Sequence, residues 1–392
     1  MARTCDMLIV GGGVMGLAIA QTLAKRAVGK VIVLEKSFIG AGSSGKSGAI
    51  IRQHYSNALT ARMAQWSLGV YARFDELYGG PPVFTRTGMV VVVKEQDRAG
   101  LEANLALQNE LGIVTRLVSA PELADIDPNV HLAADEVAAW EPDAGYVEAV
   151  QVLDTWAQSA RQLGAEICEG VEVTGIVIEK DRVVGVDTNE GRYQCGKLIL
   201  AAGPWAARLG KMLQLDLPVQ PCRTQVALYR KPPNYARRVA VYGDFALGIY
   251  FKPTHGDIVH AGSIGGEEIK DVVDPDSYNE AADSAFLGRV RQLLSRRYPG
   301  MHRCYGRGGF GALYAITPDW HPILDALPGI EGVYAAVGFS GHGFKMAPIV
   351  GQLLAEMIVD GSARTLDPGP LRFSRFAEQD PVKIPHNYSV MG

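Results

Sequence analysis

Eight consecutive residues, Gly338-Phe339-Ser340-Gly341-His342-Gly343-Phe344-Lys345, combine three glycines with two aromatics, a serine, a histidine and a closing lysine. The residues that follow, MAPIVGQLLAEMIVDG, have the pattern of an amphipathic helix. The run therefore reads as a glycine-rich turn that feeds a helix N-terminus. Bare backbone in such a turn lets a flat ligand approach closely. The first N–H groups of the helix and its positive end favour an anion. A helix cap alone would use the same residues. A second cation, Arg52, follows the apolar Ala49-Ile50-Ile51 and must find an anion or water. A guanidinium grips a carboxylate with two parallel hydrogen bonds. It could equally serve as a structural ion-pair partner.

These side chains need a frame, and its clearest part is at the other end of the chain. The apolar run DMLIV reads as a buried strand. It leads into Gly11-Gly12-Gly13-Val14-Met15-Gly16, then LAIAQTLAKRA with helical periodicity, then a second strand, KVIVLEK, containing Glu35 and Lys36. In this strand–turn–helix–strand order, Gly11 makes the tight turn, Gly13 admits a pyrophosphate and Gly16 lets helix and strand pack closely. Ala18 and Leu23 fall on the inner helix face, and Glu35 stands where an acid bonds ribose hydroxyls. The pattern predicts a bound dinucleotide.

The continuation favours FAD over NAD. Instead of a regular strand–helix rhythm, the second strand runs into the glycine- and serine-rich loop FIGAGSSGKSGAIIRQHYS. Later come short β segments: VEVTGIVIEK, which contains Val173, then RVVGVDTN, a turn at Asn189-Glu190-Gly191, RYQC, and KLILAAGPWA, which contains Ala202, Gly203 and Trp205. A β-meander inserted into a nucleotide-binding domain, and binding elements at both chain ends, suit a long cofactor that stays bound. The expected architecture is α/β, with a Rossmann-like FAD-binding domain carrying an inserted β-meander and an α+β substrate domain built on a mostly antiparallel sheet. The FAD-binding domain is discontinuous, at 1–85, 145–216 and 322–392. The substrate domain takes 86–144 and 217–321. In its first part, GMVVVVK reads as a strand, DRAGLEANLALQNELG as a helix and PELADIDPNV as a loop. In its second, VQPCRTQVALYR, RRVAVYG, GIYFKPT and DIVHAGS read as strands, followed by a helix near YNEAADSAFLGRVRQLLSRRY and a strand into GRGGFGALYAIT.

Composition excludes other classes. The chain has 392 residues and a net charge of −4 with both signs dispersed, so nothing suggests nucleic acid or anionic lipid. No apolar run approaches a membrane span, and the strand begins too early to leave room for a signal peptide. The five cysteines are scattered and odd in number, which predicts reduced thiols and a cytoplasmic location. His54, His255, His260, His302, His321 and His342 show no metal-ligand spacing, so no metal is expected.

Across nearly its full length the chain resembles the FAD-dependent amino acid oxidase superfamily that includes sarcosine oxidase, glycine oxidase and D-amino-acid oxidase. The resemblance rests on GGGVMG with Glu35, GSSGKSGAIIRQHYS, AAGPWA, YAITPDWHPILD and GFSGHGFK. Within it, the pattern is similar to the β-type subunit of heterotetrameric sarcosine oxidases and L-proline dehydrogenases, and to single-chain relatives of that branch. The resemblance implies oxidation of a C–N bond by hydride transfer to flavin. It also implies smaller partner subunits, with an FMN at their junction, if the chain is a β-type subunit. Ser43, Ser44, Gly45 and Lys46 would run from the pyrophosphate to the flavin ring. Gly338, Ser340, Gly341, His342, Gly343, Phe344 and Lys345 would border the flavin. Arg52 maps onto a substrate-binding arginine, and Lys345 onto a lysine that reaches the substrate carboxylate. Together they would clamp a small amino acid, most readily a secondary or N-methyl amine such as sarcosine or proline. Tyr250 would stand on the pocket wall, and His54 beside Arg52 if that segment is extended.

Three departures from the family pattern matter. Ala312 lies near the position where some relatives link FAD to a cysteine, so non-covalent FAD is expected. Tyr250 takes the place of a lysine that activates oxygen, although Lys252 lies two positions away on the same strand face. The loop reads GKSG where many relatives have GRN. Trp320 and His321 interrupt TPD–PILD and are expected behind the lining. Two other functions fit the same frame: a 2-hydroxy acid dehydrogenase, or a non-catalytic flavoprotein subunit or assembly factor that would not need both Arg52 and Lys345.

Overall fold

A computed structural model describes residues 3–233, 240–254, 256–264, 266 and 271–385. The apolar segment Arg3–Val10 forms the centre of an eight-stranded sheet. It pairs in parallel with Val31–Glu35 on one side and with Gly191–Leu200 on the other, and Glu166–Glu169 extends the parallel set. Gly191–Leu200 is one continuous ten-residue strand, where the sequence suggests two segments, RYQC and KLIL. Its first half pairs antiparallel with Arg182–Thr188 and so completes the meander begun by Val173–Glu179. Its second half pairs in parallel with Val333–Val337, which in turn pairs with Ile323–Ala326. The meander is thus an outgrowth of the nucleotide-binding sheet. One face of that sheet is covered by helices Val14–Lys25, Ala149–Gln162 and Gly343–Val359, whose Leu17, Ile19, Trp156 and Leu353 are fully or nearly fully buried.

The second sheet also has eight strands, in the order Tyr305–Ile316, Gln220–Arg230, Ile258–Ser263, Ile249–Thr254, Val241–Asp244, Met89–Lys94, Glu136–Glu141 and Arg116–Val118. Its pairs are antiparallel except that between Val241–Asp244 and Met89–Lys94. The strands of the first sheet fall within 1–85, 145–216 and 322–392, and those of the second within 86–144 and 217–321. A small sheet of Ile50–Ile51, Phe84–Arg86 and Gly145–Val147 bridges the two where the chain crosses over.

Two segments differ from the sequence reading. PELADIDPNV holds a short helix, Ala120–Ile126, rather than a loop. Ser119 and Glu122 form a reciprocal capping box there, and Pro121 sits in the first turn, where its missing N–H costs nothing. The helix expected near Tyr278 begins only at Ser284. Residues before it are held extended because Arg223, 6% exposed, takes the backbone oxygens of Asn279 and Ala281 and the carboxylate of Asp283.

Candidate active site

Between the two sheets lies a trough of about 500 Å³. Gly11, Gly13, Val14 and Met15 line its first end. Gly11 has φ +115°, and a Cβ there would stand 2.5 Å from the Ala201 carbonyl oxygen. Gly16 does not line the trough: a Cβ on it would meet the Gly11 oxygen at 1.9 Å, so its role is to let helix and strand touch. Glu35 is aimed by backbone, since the Gly12 N–H donates to its Oε2 at 2.8 Å and the Ser37 N–H to its Oε1 at 2.9 Å. Lys36, Val173, Ala202, Gly203 and Trp205 complete the walls here.

The next stretch is set by hydroxyls. Ser43 donates to the Leu313 oxygen at 2.7 Å, and Ser44 Oγ accepts the Val14 N–H at 2.9 Å. Gly45 is turned away from the trough and donates its N–H to Gly40 at 2.9 Å. Lys46 lines the trough and donates to Tyr278 Oη at 2.8 Å and Glu280 at 2.7 Å. Tyr278 and Glu280 belong to a strap from the substrate half, residues 274–280, which sequence reasoning missed. Its Asp276 pairs with Lys36 and Arg208 and accepts the Trp205 indole N–H at 2.8 Å. Burial opposes ionisation of Asp276, but these three donors outweigh it and hold the carboxyl at about 2.

The far end is closed by the turn of residues 338–345. Gly338 has φ +74°, and a Cβ on it would strike Thr317 at 2.4 Å, so it shapes the turn without lining the trough. Ser340 adopts φ +46° and its N–H bonds Ala315 at 2.9 Å. Ser340, Gly341, His342, Gly343, Phe344 and Lys345 all line the trough, as do Arg52 and Tyr250. The structure therefore brings both cations, Arg52 and Lys345, to one end. Lys345 is 7% exposed and makes no ion pair among the described residues. Its pKa is well below the ordinary lysine value, because of burial first and of Arg52 second. Burial, then Lys345 and Arg52, drive the His342 pKa down as well. His342 stacks on Tyr55 at 5.5 Å, and its Nε2 is buried with no hydrogen-bond partner among the described residues. The Arg52 guanidinium lies 4.3 Å over the same Tyr55 ring and donates to the His54 carbonyl.

His54 is not brought into the trough. The strand stops at Ile51, so the alternation that would place it beside Arg52 does not continue. Its ring is buried against Gln108, Nδ1 to Nε2 3.1 Å, and burial pushes its pKa down to about 3. Lys252 also lies outside the lining, with Nζ 4.2 Å from the Tyr146 ring, and burial pushes it down to about 8. His260, which pairs with Lys252 across the ladder, reaches toward the trough. The space where a Cβ on trough-lining Gly48 would sit is 3.5 Å from Tyr250 and 3.7 Å from His260 Nε2. Tyr314, Met89, Phe245 and Ile264 add an apolar wall that strand alternation alone did not single out. Trp320 and His321 are buried behind the lining, and His302 bonds Pro299 at the surface. His255 lies outside the described residues. Ala312 lines the trough, and no cysteine does among the described residues.

A model of the family described as FAD dependent oxidoreductase, DAO, matches residues 6–357. The chain belongs to this family. The FAD-dependent oxidoreductase is 30% identical to peroxisomal sarcosine oxidase of Homo sapiens, over 95% of this chain and 96% of that protein. It is 25% identical to sarcosine oxidase subunit beta of Rhodobacter capsulatus, over 91% of this chain and 85% of that one. Its structure superimposes on L-proline dehydrogenase from P. horikoshii with a TM-score of 0.90 and 27% identity, covering 97% of this chain and 100% of that chain. The trough fits the cofactor of this oxidoreductase. Gly11 and Gly13 leave bare backbone at one end, Glu35 is oriented there by N–H groups, and His342 holds a buried ring nitrogen with no partner among the described residues at the other.

Proposed function

We propose that the protein oxidises the C–N bond of a small amino acid, most readily a secondary or N-methyl amine with a free carboxylate. Bound non-covalently, FAD supplies the hydride acceptor, and the imine product hydrolyses in water. The observation that carries this reading is Lys345: a buried lysine beside Arg52, with no ion pair to a carboxylate among the described residues. A buried lysine charge without a counter-ion is costly unless an anion arrives. A substrate carboxylate is that anion, gripped by the Arg52 fork and by Lys345. Tyr250, Tyr314, Phe245, Met89 and Ile264 supply the dry wall against which the rest of a small amine packs. The histidines nearest the trough, His342 and His260, are held neutral by burial, so the amine is best bound in its neutral form rather than deprotonated by one of them.

Anaerobic mixing with a panel of amino and hydroxy acids, followed by flavin absorbance, tests the reading. Bleaching by at least one N-alkyl amino acid is expected. Arg52→Ala should weaken binding by about 2–5 kcal/mol. Bleaching by 2-hydroxy acids alone would transfer the same clamp to a hydroxy acid dehydrogenase, and flavin that no small molecule reduces would indicate a non-catalytic subunit. Admitting air afterwards separates oxidase from dehydrogenase. The five unpaired cysteines favour a reducing cytoplasm. Similarity to a subunit-beta chain extends the proposal to smaller partners and an FMN, which native mass and flavin chromatography of the purified protein would reveal.

A further inference from the structure

The residue that follows Arg52 is fastened from behind by an acid. The Gln53 N–H donates to Glu141 Oε1 at 2.8 Å, and Gln53 Nε2 donates to the same oxygen at 3.2 Å. Glu141 is 1% exposed and ends the strand Glu136–Glu141. Across the ladder it pairs with Met89, which lines the trough. Its second oxygen, Oε2, is buried with no hydrogen-bond partner among the described residues. The charged and titratable groups that face it are Arg52, which attracts it, Asp143, which repels it, and the phenol of Tyr55, the ring on which Arg52 lies. This buried acid thus has one oxygen committed to the neighbour of a guanidinium and the other without a partner among the described residues.

We propose that Glu141 is a positioning residue: fastened to Gln53, its carboxyl sets how much of the Arg52 charge is offered to the substrate carboxylate. The proposal rests on the reading of Arg52 as a carboxylate clamp. Burial raises the Glu141 pKa to about 7, opposed by the Gln53 bonds and Arg52. Below that pH the acid is neutral and the guanidinium charge is undiminished. Above it, the ionised carboxylate shares that charge, and a second carboxylate binds more weakly.

The test uses the flavin-loaded protein and propionate, a carboxylate that lacks an amine, with binding followed by the oxidised flavin spectrum from pH 6 to 8.5. Glu141→Gln keeps an acceptor oxygen for Gln53 and removes the charge. The ratio of the wild-type Kd to that of E141Q should rise from about one at pH 6 to about tenfold at pH 8.5. Taking the ratio cancels the titration of Lys345. A ratio that stays constant with pH overturns the proposal. Arg52→Ala is measured alongside: an unchanged propionate Kd in that variant would instead remove the clamp itself. Difference infrared spectra of the wild-type protein at pH 7.5 give a second measurement. A protein carboxylate should become a carboxylic acid as propionate binds, and its failure to do so would also overturn the proposal.

Discussion

The two ends of the trough are built on opposite principles. At the nucleotide end, Gly11, Gly13, Gly16 and Glu35 belong to one short stretch, and the acid is already held by the chain, through the Gly12 and Ser37 N–H groups. At the substrate end, Arg52 and Tyr250 come from two different strand regions and His342 and Lys345 from the closing turn. Buried groups there remain unsettled, including His342 Nε2, Tyr55 Oη and Glu141 Oε2. The first end holds by the shape of the backbone and cannot accept a side chain. The second holds by charge withheld from water and can accept a change of size better than a loss of charge.

Three experiments would break or sharpen this contrast. The largest effect should come from Gly16→Val. A Cβ clashing with the Gly11 oxygen at 1.9 Å leaves no room to relax, and overpacking costs about 1–3 kcal/mol or more. The purified variant should contain no flavin by its absorbance ratio; a fully loaded variant would show that backbone shape is not what holds the nucleotide end. Next, Lys345→Met keeps length and removes charge. Flavin content should stay near wild type while the reduction rate falls roughly 100-fold. Because burial and Arg52 depress the Lys345 pKa, an arriving carboxylate should raise it again, so binding takes up a proton at pH above that depressed value. Calorimetry in buffers of different ionisation enthalpy measures this uptake, which should shrink in the Met variant. The smallest effect belongs to the strap. Asp276→Asn weakens exposed pairs with Lys36 and Arg208, each worth about 0–1 kcal/mol, so FAD should dissociate only about threefold faster. The wild-type rate should also climb with salt more steeply than that of the variant. A hundredfold change would make the nucleotide end depend on charge after all.

The same contrast explains what could be read from sequence. Gly11, Gly16 and Glu35 are legible because their tasks are local: a positive φ, a close approach and an acid at fixed spacing. The capping box at Ser119 and Glu122 was equally local and was passed over because a proline- and aspartate-rich run resembles a loop. The assembly of Arg52 with Lys345 follows from no spacing and was reached only through family resemblance. His54 shows the limit of periodicity: three residues after the end of a short strand, it no longer tells which way a side chain faces. The places of Glu141 and His260 beside the site were not legible for a different reason. Each residue has a buried polar atom with no partner among the described residues, and only packing reveals it.

The helices that follow the two glycine-rich turns lie in direct contact. A Cβ on Gly351 would stand 2.8 Å from the Ala18 oxygen, and one on Gly343 would stand 3.3 Å from Met15. The strand Val333–Val337, which precedes the closing turn, completes the same sheet that Arg3–Val10 begins. The ribosome makes the first turn early and the second late, and everything between must emerge before they meet. A nascent chain therefore displays the Leu17–Ala18 helix face to chaperones for most of its synthesis. It can acquire its yellow colour only once the closing helix has been made, so flavin retention doubles as a test that translation ran past it.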